Sequence, residues 1–534
     1  MTGFDFAAWP PTLTEAQLEE LSVYATTYAL SHGLLYLPPA PSLPKVPTAA
    51  IHAPLALFPS PLPRKLFEQA TRLQRIYNVL YSRVALDDEF LDQVMGVETG
   101  VGKVDDFIGQ LWRGWKALRD EGVDQSLHLG IFRSDYLLHS PNGETPELKQ
   151  VEFNTISSSF GPLSQRVSEL HRYLLSTTGY FNTSPYLSLE NLPPNQTISG
   201  VAAGLAAAHS AYSASTSNAR ILVVAQDNER NVFDQRWLEY ELLNKHSIRM
   251  IRRTLTQLQK VAKVDSTTRK LFIDVPKDLE ASGSIEISVI YFRAAYTPHD
   301  FPTPAYYATR FLLERSTAIK CPSLALQLAG GKKVQEVLTQ AGVLERFLAD
   351  GKKYHEVFSK EEIQELRDSF MAMWGLDVGD DLLTPDGQAI QAGKENFGVR
   401  KAREEAQALV LKPQREGGGN NVYKQDIPAF LDTLPPQERQ AWIAMQLIVT
   451  PADVGNYLIR AGSTTGSSDI QAPVRTNVIS ELGIFGWSIF GKEGGHSHVK
   501  EDTMGWLVRT KGTDSNEGGV ATGFSVLDSL LLVD

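Results

Sequence analysis

The stretch Leu411-Lys412-Pro413-Gln414-Arg415-Glu416-Gly417-Gly418-Gly419-Asn420-Asn421-Val422-Tyr423 combines a lysine, a carboxylate, three glycines and two asparagines. Glycines expose their N–H groups and let the backbone fold tightly over phosphate oxygens. Lys412 adds positive charge, and Glu416 suits a Mg²⁺ ion that bridges phosphates. The lysine precedes the glycines, which differs from a Walker A loop, and three contiguous glycines differ from the dinucleotide fingerprint. The stretch predicts a phosphate-binding loop, with a flexible surface hairpin as the alternative.

A second polar stretch, Gln150-Val-Glu-Phe-Asn-Thr-Ile-Ser-Ser-Ser-Phe-Gly161, predicts a strand that ends in a serine-rich loop. Alternation along a strand puts Glu152 and Asn154 on the same side, where their oxygens suit a hard cation. The serines can hydrogen-bond a polar substrate. Upstream, Arg133 could hold a carboxylate through two parallel N–H donors, or form a surface ion pair.

Three apolar, β-branched runs predict buried strands, at 221–225, 285–292 and 409–411. The first two bracket a basic section, 237–263, that predicts helix, so an α/β lobe of parallel strands is expected over 218–330. Thr14-Glu-Ala-Gln17 predicts a capping box at the start of a helix, and 64–92 and 334–375 also predict helices. The proline-rich segment 38–63 predicts an extended chain on the surface.

Composition limits the possible functions. The 534 residues include 51 Lys and Arg against 62 Asp and Glu, for a net charge of −11. This balance argues against a nucleic-acid binder, which needs a basic surface. The single cysteine, Cys321, excludes an intrachain disulfide. We expect a cytoplasmic protein, because the sequence contains neither a recognisable secretory signal nor a membrane-spanning stretch.

Polar clusters follow the predicted strands, where open α/β sheets collect ligands. They are Glu229-Arg230-Asn231 with Gln235, Arg293 with Tyr296, and Arg509-Thr510-Lys511, which leads to the small-residue segment 517–523. Their cationic and amide groups suit a substrate rich in carboxylates. Turn chemistry is the alternative for each cluster.

Nine segments together resemble one family. They are RSDY (133–136), VEFNTISSSFG (151–161), ERNVFDQR (229–236), YFRAAY (291–296), LLERSTAIKCP (312–322), QLAGGKKVQ (327–335), LKPQREGGGNNVY (411–423), ISELGIFG (479–486) and RTKG…EGGVATG (509–523). In this order they resemble the eukaryotic glutathione synthetase family of ATP-grasp ligases.

The resemblance implies a mixed α/β fold of the ATP-grasp type, with an inserted parallel α/β substrate-binding lobe and a mobile lid. The implied domains are an N-terminal part of the core (1–217), the substrate-binding lobe (218–330) and a C-terminal part (331–534) that carries the lid and the glycine-rich loops 416–421 and 517–523.

The resemblance also implies roles for individual residues. The implied Mg²⁺ ligands are Glu152, Asn154 and Glu416. The implied ATP contacts are Glu152, Lys332, Lys412, Pro413, Gln414, Arg415, Glu416, Gly417, Gly418, Gly419, Asn420, Asn421, Tyr423, Met445, Gln446, Leu447, Ile448, Glu481, Lys511 and Glu517. The implied peptide and amino-acid contacts are Arg133, Ile156, Ser157, Ser158, Ser159, Glu229, Arg230, Asn231, Gln235, Arg293, Ala294, Ala295, Tyr296, Arg509, Val520 and Ala521. Arg133, Lys332, Lys412 and Arg509 are the implied catalytic cations.

The implied activity is the ATP-dependent ligation of γ-glutamylcysteine to glycine through an acyl phosphate, in a homodimer that uses Mg²⁺ and binds neither nucleic acid nor membrane. Two alternatives stay open: a ligase of the same fold that accepts alanine or serine, and a nucleotide-binding regulator without catalysis.

Overall fold

The computed structural model describes residues 4–38, 47–122, 125–216, 218–377, 396–415, 419–460, 473–493, 496–515, 518–520 and 523–534. The helices in these ranges are α1 Glu15–Ser31, α2 Arg64–Ala85, α3 Asp88–Met95, α4 Asp106–Glu121, α5 Gly161–Thr178, α6 Thr197–Ala211, α7 Val232–His246, α8 Leu255–Val261, α9 Pro304–Arg315, α10 Leu324–Ala329, α11 Lys332–Leu338, α12 Val343–Leu348, α13 Lys360–Asp368, α14 Phe397–Glu404 and α15 Asp426–Thr433.

The strands are β1 Leu35–Tyr36, β2 Ile51–His52, β3 Leu55–Ala56, β4 Ser60–Pro63, β5 Leu127–His139, β6 Glu147–Asn154, β7 Arg220–Ala225, β8 Met250–Thr254, β9 Ala262–Val264, β10 Leu271–Asp274, β11 Ser284–Phe292, β12 Ile319–Cys321, β13 Met373–Gly375, β14 Leu409–Pro413, β15 Val422–Tyr423, β16 Trp442–Gln446, β17 Gly455–Ile459, β18 Val474–Glu493, β19 His496–Gly512, β20 Ser525–Asp528 and β21 Leu530–Val533.

Helices α1 and α3 begin directly after residues whose side chains cap them. Thr14 and Gln17 form the predicted capping box of α1. The predicted helix over 64–92 is divided in two, because Asp87 leaves the helical conformation and accepts a hydrogen bond from the Phe90 N–H as the N-cap of α3. None of the helices in the described ranges combines the length and apolar character needed to cross a membrane.

One large sheet joins two kinds of strand pairing. Strands β18 and β19 pair antiparallel with each other, and β18 also pairs antiparallel with β5. The other edge of β5 pairs antiparallel with β6. A parallel pair between β5 and β12 continues the sheet into β11, β7 and β8, which are also parallel. The predicted lobe of parallel strands is therefore continuous with the antiparallel strands through β12. The predicted boundaries at 218 and 330 stay predictions.

Several local predictions were wrong. Leu55 and Ala56, in the proline-rich segment, form β3 inside the large sheet and are fully buried, because β17 and β20 pair on either side of them. The missing N–H of Pro54 does not interrupt this pairing, since its carbonyl accepts a hydrogen bond from Leu527. Residues 250–254, predicted as helix, form β8 next to β7. Residues 262–263 and 373–375, also predicted as helix, belong to β9 and β13, which pair with β10 and β16.

A smaller sheet carries both ends of the glycine-rich stretch, in β14 and β15. Its strand order is β13-β16-β14-β15, and α14 and α15 supply side chains to an apolar cluster on one face. Lys412 lies on β14, and its Nζ donates a 2.9 Å hydrogen bond to the Val151 carbonyl on β6. The smaller sheet thus meets the large sheet beside β6.

Candidate functional site

Charged side chains from both sheets meet around β6. We call this group the cation–carboxylate cluster; it consists of Arg133, Asp135, Glu152, Asn154, Lys332, Lys412, Glu481 and Arg509. Lys332 Nζ lies 2.8 Å from Glu152 Oε2. Arg509 Nη2 contacts both Asp135, at 3.0 Å, and Glu481. The cluster therefore brings together β5, β6, β14, β18, β19 and α11.

The pKa shifts in this cluster favour the charged forms of Glu152 and Arg509 and disfavour that of Glu481. Burial raises the pKa of Glu152, but Lys332 and Lys412 outweigh burial, and the pKa lies well below its ordinary range. Burial lowers the pKa of Arg509, but Glu481 and Asp135 outweigh it, so this guanidinium stays charged. Burial raises the pKa of Glu481, an effect that Arg509 opposes. Excess positive charge from lysine and arginine around Glu152 suits a polyanion such as a triphosphate.

A second group, the serine–arginine cluster, lies at the carboxyl ends of β7 and β11. It consists of Ser157, Ser158, Ser159, Glu229, Asn231, Asp234, Gln235, Arg252 and Arg293. Arg293 donates through Nη1 to the Ser158 carbonyl at 2.7 Å and through Nη2 to Ser159 Oγ at 2.5 Å. Its Nη2 also lies 3.9 Å from Asp234 Oδ2. This buried guanidinium therefore fixes the conformation of the serine loop.

Glu229 organises the other side of the serine–arginine cluster. Its two carboxylate oxygens accept from the Asn231 N–H at 2.8 Å and from Gln235 Nε2 at 2.6 Å. Gln235 Oε1 in turn accepts from Arg252 Nη2 at 2.6 Å. Burial lowers the pKa of Arg252 to about 10. Carboxylate, amide and guanidinium groups are thus arranged side by side, as recognition of an amino-acid head group requires.

Ser159 connects the two clusters. Its carbonyl accepts from Arg133 Nη1 at 3.2 Å, and its hydroxyl accepts from Arg293. The loop turns sharply here, with φ values of 52° at Ser157 and 69° at Phe160. Ser159 would therefore stand between a ligand held by Arg293 and Arg133 of the cation–carboxylate cluster.

The predicted ATP contacts continue along β14 and β16. Gln414 Oε1 accepts from the Lys333 N–H at 3.0 Å, and Arg415 forms an ion pair with Asp105, the N-cap of α4. Asn421 Nδ2 donates to the Tyr423 hydroxyl at 3.1 Å. Of the segment Met445, Gln446, Leu447 and Ile448, the first is buried in the β16 core and the second is exposed.

Several predicted site residues lie at the margin of the two clusters or outside the described residues. Arg230 Nε donates to the Leu37 carbonyl, and its guanidinium stacks on Tyr36. The Val520 side chain is buried in an apolar cluster, and its carbonyl accepts a hydrogen bond from the Gly523 N–H at 3.1 Å. Ala294, Ala295 and Tyr296 follow β11 directly, and Lys511 lies on β19. Pro413 ends β14. The predictions for Glu416, Gly417, Gly418, Glu517 and Ala521 lie outside the described residues, and Gly419 and Asn420 follow the first of those gaps.

The sequence patterns assigned no role to Asp135, Asp234 or Arg252. Asp135 stands two residues after Arg133 on one strand, so alternation alone places the two on the same face. Asp234 accepts from the N–H groups of Phe160 and Leu163, and burial raises its pKa although Arg293 opposes this. Its position inside the ERNVFDQR segment was the available signal.

A metal ion would find oxygen ligands on β6. The Asn154 amide and the Glu152 carboxylate are the hard oxygen donors that Mg²⁺ prefers. In the described ranges, no group of three or more His, Cys, Asp and Glu side chains is placed to hold a metal ion. The predicted Mg²⁺ ligands, Glu152, Asn154 and Glu416, do not form such a group within those ranges, because Asn154 contributes an amide and Glu416 lies outside the described residues.

Comparisons with known proteins identify the family of this chain. The family model for the ATP-binding domain of eukaryotic glutathione synthase matches residues 15–532. The chain is 38% identical over 517 residues to the glutathione synthetase of Bos taurus, with 96% of this chain and 97% of that protein covered. It is 37% identical over 514 residues to that of Homo sapiens, with 96% of both covered. For Dictyostelium discoideum the identity is 34% over 523 residues, with 97% of this chain and the whole relative covered.

The fold has a solved counterpart. A glutathione synthetase-like effector from Globodera pallida, solved in its apo form, superposes with a TM-score of 0.70 over 98% of both chains, at 23% identity. This likeness confirms the expected mixed α/β fold class. By its family model and its full-length relatives, the chain belongs to the eukaryotic glutathione synthase family.

Proposed function

We propose that this chain joins γ-glutamylcysteine to glycine at the expense of ATP and releases glutathione, ADP and phosphate. The observation that carries the proposal is the connection through Ser159 between the two clusters. One cluster is rich in cations and suits the triphosphate. The other combines carboxylate, amide and guanidinium groups and suits the dipeptide. The reacting carboxylate and phosphate would then lie next to each other.

In this mechanism the cysteinyl carboxylate of the dipeptide attacks the γ-phosphorus, ADP leaves, and an acyl phosphate forms. The glycine amine then attacks the acyl carbon, phosphate leaves, and the amine loses a proton as the peptide bond forms. The barrier to the first step is repulsion between two anions. Lys332, Lys412 and Arg509 would offset it by stabilising charge on the transferred phosphoryl group, without a nucleophilic side chain.

We propose Mg²⁺ as the metal, with Glu152, Asn154 and Glu416 as its ligands. The ion would neutralise charge on the β- and γ-phosphates of ATP. The fit rests on the hard oxygen donors of the first two side chains, which lie on one strand beside Lys332 and Lys412.

We also propose a homodimer in the cytoplasm. The support for a dimer is three apolar side chains that are each about half exposed: Leu30 on α1, and Tyr240 and Leu243, which stand three residues apart on α7. The two helices are neighbours, since Trp237 on α7 donates to the Gly33 carbonyl just after α1. Exposed apolar side chains on neighbouring elements are typical of a subunit contact.

ADP release tests the ligase reaction. We expect little ADP with ATP alone, and sustained release with glutathione formation when γ-glutamylcysteine and glycine are both present. Alanine or serine in place of glycine tests the acceptor. Lys412→Met should abolish turnover, while Lys116→Met, which removes an exposed lysine paired with Asp120, should not. If both substrates together release no more ADP than ATP alone, the chain is a nucleotide-binding regulator instead.

A further inference from the structure

Asp135 is a fully buried carboxylate inside the cation–carboxylate cluster. Its Oδ1 accepts from Arg133 Nε at 2.5 Å, and its Oδ2 accepts from Arg133 Nη2 at 2.8 Å. The same Oδ2 accepts from Arg509 Nη2 at 3.0 Å and from Asn154 Nδ2 at 2.9 Å. One carboxylate therefore holds three side chains that the family resemblance assigns to substrate or metal.

The pairing with Arg133 determines which edge of that guanidinium faces a ligand. Asp135 occupies the edge formed by Nε and Nη2, and the Ser159 carbonyl takes one N–H of Nη1. Arg133 has five N–H donors, and these contacts within the described residues engage three. The other edge, between Nη1 and Nη2, is the one a substrate carboxylate would meet in bidentate fashion.

The contact with Asn154 determines how that amide is oriented. An ionised carboxylate accepts hydrogen bonds and donates none. The Asn154 amide must therefore turn its NH₂ group towards Asp135, and a second bond from Nδ2 to the Arg133 carbonyl at 3.2 Å agrees with this. The carbonyl oxygen of Asn154 then faces away from Asp135, as a cation ligand must.

The opposite strand is shaped around this pair. Gly483 on β18 stands opposite Asp135 in the sheet register. A Cβ atom at Gly483 would lie 2.7 Å from Arg133 Cδ and 2.7 Å from Asp135 Oδ1, which is closer than real contacts allow. The Arg133–Asp135 pair thus fills the volume that a side chain at position 483 would need.

We propose that Asp135 is a positioning residue of the ligase, which fixes Arg133, Arg509 and Asn154 in their binding orientations without touching substrate itself. This inference rests on the proposed function, because the family resemblance assigns Arg133 and Arg509 to the dipeptide, beside the role of Arg509 at the phosphoryl group. A substitution that keeps the shape and removes the charge releases all three side chains together.

The test compares Asp135→Asn with Asp87→Asn. Asp87 is a matched control: it is also largely buried and accepts from two cations, Arg346 and Lys353, which belong to neither cluster. Binding of γ-glutamylcysteine is measured by calorimetry without ATP or metal, and thermal unfolding is followed by circular dichroism. We expect Asp135→Asn to weaken dipeptide binding by about 10- to 100-fold. Asp87→Asn should lower the unfolding temperature and leave binding unchanged.

Binding of the dipeptide by Asp135→Asn with the affinity of the unaltered protein would overturn the inference, as would equal weakening in Asp87→Asn. If Asp135→Asn does not fold, Gly483→Ala keeps the charge and displaces the pair, and weakened binding is again expected. Unchanged binding by a folded Gly483→Ala would overturn the inference. The proposed function fails separately, and this inference with it, if the unaltered protein neither binds the dipeptide nor forms glutathione.

Discussion

Lys332 Nζ lies 2.8 Å from Glu152 Oε2, although 180 residues separate them along the chain. Since Lys332 is a buried cation at the predicted triphosphate position, Lys332→Gln should reduce kcat by about 10²- to 10³-fold, the usual effect of losing one donor to a transition state. Steady-state kinetics with ATP as the varied substrate measures this. The neighbouring Lys333, which pairs with Asp377, is the control, and Lys333→Gln should have a much smaller effect. Equal effects would remove Lys332 from its assigned role.

Arg293→Lys should impair use of the dipeptide more than use of ATP. The guanidinium reaches the Ser158 carbonyl and Ser159 Oγ at once, which a single ammonium cannot reproduce. We expect the KM for γ-glutamylcysteine to rise by about 10- to 100-fold, with the KM for ATP nearly unchanged. Arg315→Lys, at an exposed pair with Glu121, is the control. A rise confined to the KM for ATP would contradict the assignment.

Stability should depend on pH through Asp528. This carboxyl is fully buried, accepts from the Ser60 and Thr510 hydroxyls at 2.7 Å each, and burial raises its pKa from 3.8 to about 7. Because the folded state holds the proton more tightly, its contribution to stability is fully present below pH 3.8 and is lost as the pH rises through about 7.

Asp528→Asn resembles the protonated form at every pH. Its stability relative to the unaltered protein should therefore increase between pH 5 and pH 8, by about 2–3 kcal/mol. Urea unfolding at the two pH values measures this difference, and other titrating groups cancel because both proteins share them. A difference that does not change with pH would show that Asp528 ionises normally in the fold.

The thiol of Cys321 should be unreactive in the folded protein. Its side chain is buried on β12, and burial raises the pKa of its thiol well above the ordinary value. We expect slow reaction with an aromatic disulfide reagent in buffer and fast reaction in urea. Cys321→Ala should keep full turnover, because the thiol of the proposed reaction belongs to the substrate. Loss of turnover in a stably folded variant would contradict this.

Charged residues on α7 should separate the proposed dimer. The double variant Tyr240→Asp, Leu243→Asp places two carboxylates on the half-exposed apolar surface described above. We expect sedimentation velocity to show a homodimer for the unaltered protein and a monomer for the variant. Leu279→Asp, at an even more exposed leucine outside α1 and α7, is the control and should stay dimeric. A monomeric unaltered protein would overturn the proposal.

The sequence predicted elements where one local signal dominates. The apolar runs became β7, β11 and β14, and the Thr14 capping box begins α1 as expected. Strand β8 was missed because Arg252 and Arg253 interrupt its apolar pattern, and its pairing with β7 is a tertiary effect. Strand β3 was missed because flanking prolines argue against a strand, whereas burial between β17 and β20 decides the structure.

Motifs indicated most of the candidate site, but not the contacts that hold it in place. Asp135 appeared only as a neighbour of Arg133, because its bonds to Arg509 and Asn154 depend on the register among β5, β6, β18 and β19. Such register follows from packing across hundreds of residues and has no local sequence signature. The link through Ser159 has the same origin.

The parallel pair of β4 and β21 has a consequence for synthesis of the chain. Ser60 and Asp528, hydrogen-bonded beside this pair, are separated by 468 residues. During translation, β4 emerges from the ribosome long before its partner β21 has been synthesised. In the same way, β3 emerges long before its partner β20. The apolar residues around Leu55 and Phe58 then stay exposed on the nascent polypeptide, a state that favours chaperone binding. We expect the large sheet to close only after the last strands leave the exit tunnel.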